Sequence, residues 1–159
     1  MQYKILCVGK IKDQALSALI DDYVHRMRAY VPVEIVEVKD EPSPASASQK
    51  DEERVKMVEG QRLLEKIHDG DLVLALDLTG KELDSVALSQ RLYRALEETH
   101  RDVVLLIGGS LGLSSEVLKR AQGRISFSKL TFPHQLMRLI LLEQLYRSAR
   151  IHEGHAYHK

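Results

Sequence analysis

The chain has 159 residues, 44% of them hydrophobic, and its 23 basic residues balance 23 acidic ones. This length predicts a single domain over residues 1–159, and zero net charge excludes a protein that coats nucleic acid through an overall basic field. Cys7 is the only cysteine, so an internal disulfide and a cysteine-based zinc site are excluded. No apolar stretch approaches the roughly 20 residues that span a bilayer. We expect a cytoplasmic protein with no metal and no membrane partner.

The N-terminal half alternates predicted strands with predicted helices. Tyr3–Val8 and Val33–Val38 have the apolar and β-branched composition of strands, the first buried and the second half-exposed. Between them, apolar residues at helical spacing predict a helix that ends before Pro32. A loop rich in proline and serine follows, and a second helix begins near Ser48 and ends before Gly70.

The C-terminal half continues this alternation. In chain order we predict a strand over 72–76, a turn over 79–81, a helix that includes 88–96, a strand over 103–107, a glycine-rich loop, a short helix over 115–121, an apolar segment over 125–127, a loop and a last helix over 133–150. Helices that alternate with apolar strands are typical of an α/β fold. We therefore expect a mostly parallel sheet with helices on both faces.

Basic residues strongly outnumber acidic residues in the last 42 residues of the chain. From Leu118 to Lys159 there are eight basic and two acidic residues, a local charge of +6, which predicts contact with an anionic partner. In the last helix, apolar residues cover much of the circumference. This pattern predicts burial on two sides, by the chain's own sheet and by a partner subunit.

Three segments should lie beyond the carboxyl ends of the strands, where parallel sheets bind ligands: 76–81, 108–113 and 127–134. The glycines at 108, 109 and 112 would let main-chain groups approach a ligand, although a glycine pair is also ordinary turn chemistry. The segment 108–112 also matches the Gly-x-Ser-x-Gly elbow of hydrolases, with Ser110 as nucleophile. No aspartate follows Ser110, so this hydrolase is a minor alternative.

Several long motifs resemble one known family. They are Leu-Ile-Gly-Gly-Ser-Leu-Gly-Leu at 106–113, Ser-Phe-Ser-Lys-Leu-Thr-Phe-Pro-His-Gln at 126–135, Glu-Gln-Leu-Tyr-Arg at 143–147 and His-Ala-Tyr-His-Lys at 155–159. The whole chain resembles the bacterial ribosomal large subunit methyltransferase H family, which methylates N3 of a pseudouridine in 23S rRNA. The resemblance implies a SPOUT fold with a C-terminal trefoil knot, and a homodimer in which the tail of each subunit completes the other's site. It also implies an S-adenosyl-L-methionine site formed by Leu76, Gly108, Phe127, Ser128, Lys129, Leu130, Thr131 and Phe132.

The last eight residues hold three histidines and a tyrosine, a density of titratable groups that indicates a functional segment rather than a frayed polar tail. A metal site with the His-x2-His-x2-His spacing is a weaker alternative. Given the resemblance, our hypothesis is that His158 and Tyr157 shape the nucleotide pocket, while Arg147 and Lys159 hold phosphate or developing negative charge. A neutral His158 or His155 could accept the N3 proton.

Several relatives end in arginine where this chain has Lys159, and lysine cannot make the bidentate contact of a guanidinium.

The balanced charge favours a structured target, the assembled ribosome, over free RNA. The remaining alternative is a ribosome-associated module that binds S-adenosyl-L-methionine without catalysis. Such a module would have no need of the histidine and tyrosine tail.

Overall fold

The computed structural model describes residues 1–159, in which five strands alternate with five helices. Their bounds are β1 (Tyr3–Val8), α1 (Gln14–Met27), β2 (Val33–Val38), α2 (Gln49–Leu64), β3 (Leu72–Glu82), α3 (Ser85–Glu98), β4 (Val103–Ile107), α4 (Ser115–Arg120), β5 (Gly123–Ser126) and α5 (His134–His152). Every helix and strand that the sequence pattern predicts is present. None of the five helices combines the length and the apolar composition that a membrane span requires.

The five strands form one sheet in the order β2-β1-β4-β3-β5, and every neighbouring pair is parallel. The α/β prediction is confirmed, and the sheet is entirely parallel. Strands β1 and β4 lie in the interior and are buried along their whole length, which explains their apolar composition. Strand β2 lies at an edge, where its glutamates remain partly exposed.

Helices cover both faces, and side chains alternate between them along each strand. On one face α1, α3 and α5 pack on the odd-numbered residues of β1, such as Ile5, and on Leu105 of β4. On the other face α2 and α4 pack on even-numbered residues, such as Leu6 and Leu106. The parallel register brings the carboxyl ends of β1, β3 and β4 to the same edge. Any site beyond this edge is held by a rigid, buried sheet.

Strand β3 is longer than its apolar run predicts. It pairs with β5 over Leu74–Leu76 and again at Lys81 and Glu82, with a register shift between Leu76 and Lys81. The predicted turn over 79–81 is therefore wrong, since the chain bulges out and then rejoins the strand. A Cβ on Gly80 would lie 2.6 Å from the main-chain nitrogen of Ile125, so only glycine fits where these two backbones meet.

Arg138 is buried in the fold, only 1% exposed, although it belongs to the basic segment for which we predicted an anionic partner. Its Nη1 donates to Oε2 of Glu37 at 2.6 Å, and its Nη2 donates to the carbonyls of Val8 at 2.9 Å and Gly9 at 2.7 Å. Arg138 therefore adds nothing to the surface charge of this segment, and the prediction that included it was wrong. Its role is to fasten α5 to the ends of β1 and β2.

Candidate functional site

A cavity of about 680 Å³ lies beyond the carboxyl ends of β3, β4 and β5. All three predicted loop segments contribute to its wall, because the parallel register brings the ends of these strands together. Apolar side chains form much of the wall: Leu76, Ile107, Leu111, Ile125, Phe127, Leu130, Phe132 and Met137. A cleft of this volume and composition suits a small ligand with an apolar part.

The glycine loop forms its wall from main chain rather than side chains. Gly112 has φ +87°, and its N–H donates to the carbonyl of Gly109 at 3.0 Å, which closes a tight turn. A Cβ on Gly108 would lie 2.7 Å from the carbonyl carbon of Gly112. Any side chain at Gly108 would therefore push the two ends of the loop apart, which explains the glycine at this position.

The loop after β5 is ordered by its own serines. Ser126 Oγ donates to the carbonyl of Ser128 at 2.9 Å, and Ser128 Oγ accepts from the N–H of Leu130 at 3.0 Å. These bonds curl residues 127–132 around the cavity. His134, at the end of the loop, also lines it, and burial, together with the nearby Arg138 charge, lowers the pKa of His134 below its ordinary value. His134 is therefore neutral near pH 7.

Two charged groups at the cavity were not assigned from the sequence. Asp77 lies in the bulge of β3 and accepts hydrogen bonds from the N–H and hydroxyl of Thr79. Lys56 reaches the cavity from α2 and pairs with Glu53 at 2.9 Å. No local signal marks Lys56, because α2 precedes the cavity loops and meets them only in the folded structure.

A buried carboxylate lies behind the glycine loop. Glu59 on α2 is 5% exposed, and its Oε2 accepts from the N–H of Glu41 at 3.1 Å. A Cβ on Gly109 would come within 2.9 Å of Glu59 Oε1, so this carboxylate fills the space that a side chain would need. Burial raises the pKa of Glu59 above its ordinary value, partly offset by the Glu41 N–H.

The structure brings together seven of the eight residues for which the resemblance implies cofactor contact. The seven that line the cavity are Leu76, Gly108, Phe127, Ser128, Leu130, Thr131 and Phe132. Lys129 lies in the same loop, but its side chain is exposed and forms no part of the wall. Pro133, which lies in the predicted segment 127–134, and Met137, which lies outside it, extend the wall to the first turn of α5.

The hydrolase alternative fails on local geometry. A nucleophile elbow places its serine in a sharp, strained turn between strand and helix. Here no residue other than glycine has a positive φ, and α4 begins only at Ser115, five residues after Ser110. The side chain of Ser110 is exposed and makes no hydrogen bond to a histidine. Ser110 therefore has neither the strained backbone nor the base that acyl transfer requires.

Three of the five predicted catalytic residues meet beside the second half of α5, around Glu143. Arg147 donates to Glu143 Oε1 through Nη2 at 2.6 Å and through Nε at 3.0 Å. Tyr157 donates to the same oxygen at 3.3 Å, and the Arg147 guanidinium lies 4.8 Å from the centre of the Tyr157 ring. His158 Nδ1 lies 3.3 Å from Arg147 Nη1. The tail is thus folded against its own helix.

Tyr157 is held as a hydrogen-bond donor. Its ring packs edge-on against Tyr146, with centroids 5.0 Å apart. Desolvation, together with neighbouring Tyr23 and Glu143, raises the pKa of Tyr157 to about 12. Its hydroxyl therefore stays protonated at neutral pH. The other two predicted residues, His155 and Lys159, are exposed and make no side-chain hydrogen bond.

The tail does not line the cavity of its own chain. The cavity borders the first turn of α5, at His134 and Met137, whereas the tail follows the last turn and folds back along the helix as far as Glu143. A rise of 1.5 Å per residue puts Glu143 about 14 Å along the helix axis from His134. In this conformation the tail therefore packs on the second half of α5 and forms no part of the wall of its own cavity.

Comparison with known proteins identifies the family. A family model described as "Predicted SPOUT methyltransferase" matches residues 1–158. Proteins named "Ribosomal RNA large subunit methyltransferase H" are 47% identical to this chain in Clostridium novyi (strain NT), 49% in Lactiplantibacillus plantarum and 50% in Desulfitobacterium hafniense (strain DSM 10664 / DCB-2). Each alignment covers 100% of this chain and at least 99% of the relative.

A solved structure supports the same fold. A probable methylase family protein from Haemophilus influenzae Rd KW20 matches with a TM-score of 0.53, covering 99% of this chain and 70% of that chain. Its 11% sequence identity makes it evidence for the fold alone. The family model and the full-length relatives identify the family as well as the fold. This chain belongs to the ribosomal RNA large subunit methyltransferase H family of SPOUT methyltransferases.

Proposed function

We propose that residues 1–159 form a single SPOUT methyltransferase domain that transfers the methyl group of S-adenosyl-L-methionine to large-subunit ribosomal RNA. We further propose that the acceptor is N3 of a pseudouridine in the 23S rRNA of assembled ribosomes. The observation that carries the proposal is the full-length identity of 47–50% to proteins named for this activity. The cavity beyond β3, β4 and β5 supplies a place for the methyl donor.

The residues of the cavity fit S-adenosyl-L-methionine. A volume of about 680 Å³ accommodates a ligand of this size, and apolar walls suit a purine ring. The main chain of the glycine loop offers hydrogen-bonding groups without side chains in the way, and the Asp77 carboxylate suits an ammonium or ribose hydroxyl group. When bound, this group supplies an electrophilic methyl on a sulfonium centre.

We propose that the working unit is a homodimer in which the tail of each chain reaches the cavity of the other. The support is the position of the two parts, because the cavity borders the first turn of α5 while the tail packs on its second half and lines no part of the cavity. Leu136, near the start of α5, is 39% exposed, and an apolar side chain at this position suits contact with a second copy. The dimer would place the Arg147 cluster beside the methyl donor.

Within the cluster, the geometry favours stabilising an anion over removing a proton. An arginine only donates, so His158 accepts through Nδ1 and carries its own proton on Nε2. Arg147, through its remaining N–H groups, and His158, through Nε2–H, then present donors to a pyrimidine that is losing its N3 proton, and Lys159 adds positive charge. The single O–H of Tyr157 is bonded to Glu143, so its ring shapes the pocket without donating to the substrate. His155, free of such contacts, is the side chain we propose as proton acceptor.

The trefoil knot is a further proposal that rests on membership of the family.

The decisive experiment measures transfer of radiolabelled methyl from S-adenosyl-L-methionine to ribosomes from a strain that lacks this protein. Free rRNA and a reaction without substrate are the controls. We expect label only with ribosomes, and nuclease digestion of the product should recover it as N3-methylpseudouridine. Binding of S-adenosyl-L-methionine without transfer to any substrate would instead establish the noncatalytic module. Label on free rRNA equal to that on ribosomes would contradict the proposed substrate state.

A further inference from the structure

A second cavity, of about 330 Å³, lies between β3, α3 and β5. We call it the basic cleft, because four of its ten lining residues are cationic and none is acidic: Lys81, Arg91, Arg94 and Arg124. The cleft adjoins the methyl-donor cavity, since Ile125 of β5 lines both. None of these four side chains has a role in the proposed methyl transfer.

The positive charge of the basic cleft is not neutralised by the protein. None of its four cations takes part in an ion pair, whereas arginines elsewhere, such as Arg62 and Arg147, pair with glutamates at 2.7 and 2.6 Å. Arg124 has one side-chain hydrogen bond, from Nη1 to the hydroxyl of Thr79 at 3.3 Å. Four like charges around one small cavity repel one another, so the site favours an anion.

Arg91 gives a second indication of a missing ligand. Its Nη1 is buried and has no hydrogen-bond partner. A buried donor without an acceptor costs on the order of 1–3 kcal/mol, and more when it is charged. A phosphate offers several acceptor oxygens in the geometry that a guanidinium matches. An anion of this kind would satisfy Arg91 and neutralise its neighbours together.

The other walls of the cleft favour a phosphodiester over a base. Leu74, Leu83 and Ala87 are small or aliphatic, and the lining contains no aromatic side chain on which a nucleobase could stack. Lys81, Arg94 and Arg124 are exposed, so a long polyanion can reach them from the surface. Contacts of this kind position nucleic acid without reading its sequence.

We propose that the basic cleft binds a backbone phosphate of the substrate RNA, close to the nucleotide that receives the methyl group. This inference rests on the proposed function, and it adds a docking site outside the methyl-donor cavity and the tail. It also explains how a chain with no net charge attracts RNA: the attraction is concentrated in one cleft rather than spread over the surface.

The test compares Arg94→Gln/Arg124→Gln with a matched control, Lys66→Gln/Lys119→Gln. All four residues are exposed and none is in an ion pair, so each double variant removes two charges without disturbing packing. The control positions belong to the α2 and α4 side of the sheet. Four quantities are measured: the KM for ribosomes and the kcat in methyl transfer, the affinity for S-adenosyl-L-methionine, and ribosome binding by cosedimentation from roughly 50 to 200 mM KCl.

We expect the cleft variant to raise the KM for ribosomes at least about tenfold, since loss of even one hydrogen bond to a charged group costs that much. The slope of log affinity against log salt should fall by about 1.4, because each lost phosphate contact on single-stranded RNA removes about 0.7. The affinity for S-adenosyl-L-methionine and the kcat at saturating ribosomes should not change. The control should match the wild type in all four measurements.

The inference is overturned if the cleft variant binds and turns over like the wild type, or if the control is weakened equally. Cosedimentation separates this failure from failure of the proposed function, because it does not require catalysis. A wild-type protein that binds ribosomes through the cleft but transfers no methyl would refute the methyltransferase proposal and leave the cleft in place. Transfer by the wild type, with unchanged binding of the cleft variant, would do the reverse.

Discussion

Arg138 on α5 donates a 2.6 Å hydrogen bond to Glu37 on β2, near the carboxyl end of the edge strand. The same guanidinium holds the carbonyls of Val8 and Gly9 at the end of β1. Since the first turn of α5 also lines the methyl-donor cavity, this contact fixes one wall of the cavity to the sheet. Arg138 therefore connects the sheet to the wall of the cavity.

Replacing this arginine should destabilise the fold strongly. Arg138→Met keeps an apolar stem but leaves two buried carbonyls and a glutamate without their donor, and removal of one member of a buried charged pair costs about 3 kcal/mol. Urea unfolding measures the loss. Arg26→Met is the control, because Arg26 pairs with Asp22 at the surface and should contribute less than about 1 kcal/mol. Equal effects of the two substitutions would contradict a structural role for Arg138.

Glu59 should make the stability depend on pH. Burial raises its pKa, so the folded state favours the protonated carboxyl. That contribution is complete below the ordinary glutamate pKa of about 4.3 and is lost as pH rises through the raised value. Glu59→Gln keeps an acceptor for the Glu41 N–H without the charge. We therefore expect this variant to melt at a higher temperature than the wild type at neutral pH.

The gain from Glu59→Gln should shrink toward acidic pH, where the wild-type carboxyl is itself protonated. Thermal unfolding followed by circular dichroism across this range measures it. Glu53→Gln, at an exposed position on the same helix, is the control and should show no such gain. A melting-temperature difference that is the same at acidic and neutral pH would refute the assignment to Glu59.

The glycine loop should not tolerate a methyl group at its first position. In Gly108→Ala the new Cβ meets the backbone of Gly112, and overpacking of this kind costs about 1–3 kcal/mol. If the loop shifts to relieve the clash, the cavity wall shifts with it. The affinity for S-adenosyl-L-methionine, measured by calorimetry, should then be at least about tenfold weaker. Ser110→Ala, in the same loop, should leave affinity and methyl transfer unchanged. An equal loss of affinity in Ser110→Ala would contradict the assignment of the effect to the backbone contact at Gly108.

The tail should matter for chemistry and not for donor binding. Deletion of residues 155–159 should lower methyl transfer by about 100-fold or more, the usual contribution of a positioned acid or base. Affinity for S-adenosyl-L-methionine should stay within about twofold, since the cavity wall is formed without any residue of the tail. Tyr157→Phe keeps the ring against Tyr146 and loses only the bond to Glu143, so its loss should be smaller. Wild-type turnover by the deletion variant would refute the hypothesis.

Much of the architecture was predictable because buried parallel strands are apolar along their whole length. Val103–Ile107 could be assigned from composition alone, and the glycine loop could be placed at the ligand-binding edge because it follows that strand directly. The extension of β3 could not be predicted, because the residues at its far end are polar. Lys81 joins the sheet only through pairing with β5, more than 40 residues later.

The site was predictable in its loops and not in its charged groups. Helical periodicity places Arg138 on α5. It does not predict that the guanidinium of Arg138 points inward and contacts β1 and β2. Lys56 and Glu59 approach the glycine loop from α2, which is about 50 residues distant in sequence. The basic cleft likewise combines β3, α3 and β5. Such groupings depend on tertiary packing, which no local pattern encodes.

The separation of cavity and tail along α5 has a genetic consequence. In the proposed dimer, each working site takes its cavity from one chain and its tail from the other. Inactivating alleles of this single gene should therefore fall into two classes, those that damage the cavity and those that damage the tail. A cell that expresses one allele of each class would assemble mixed dimers with one intact site. Two alleles of the same class would restore nothing.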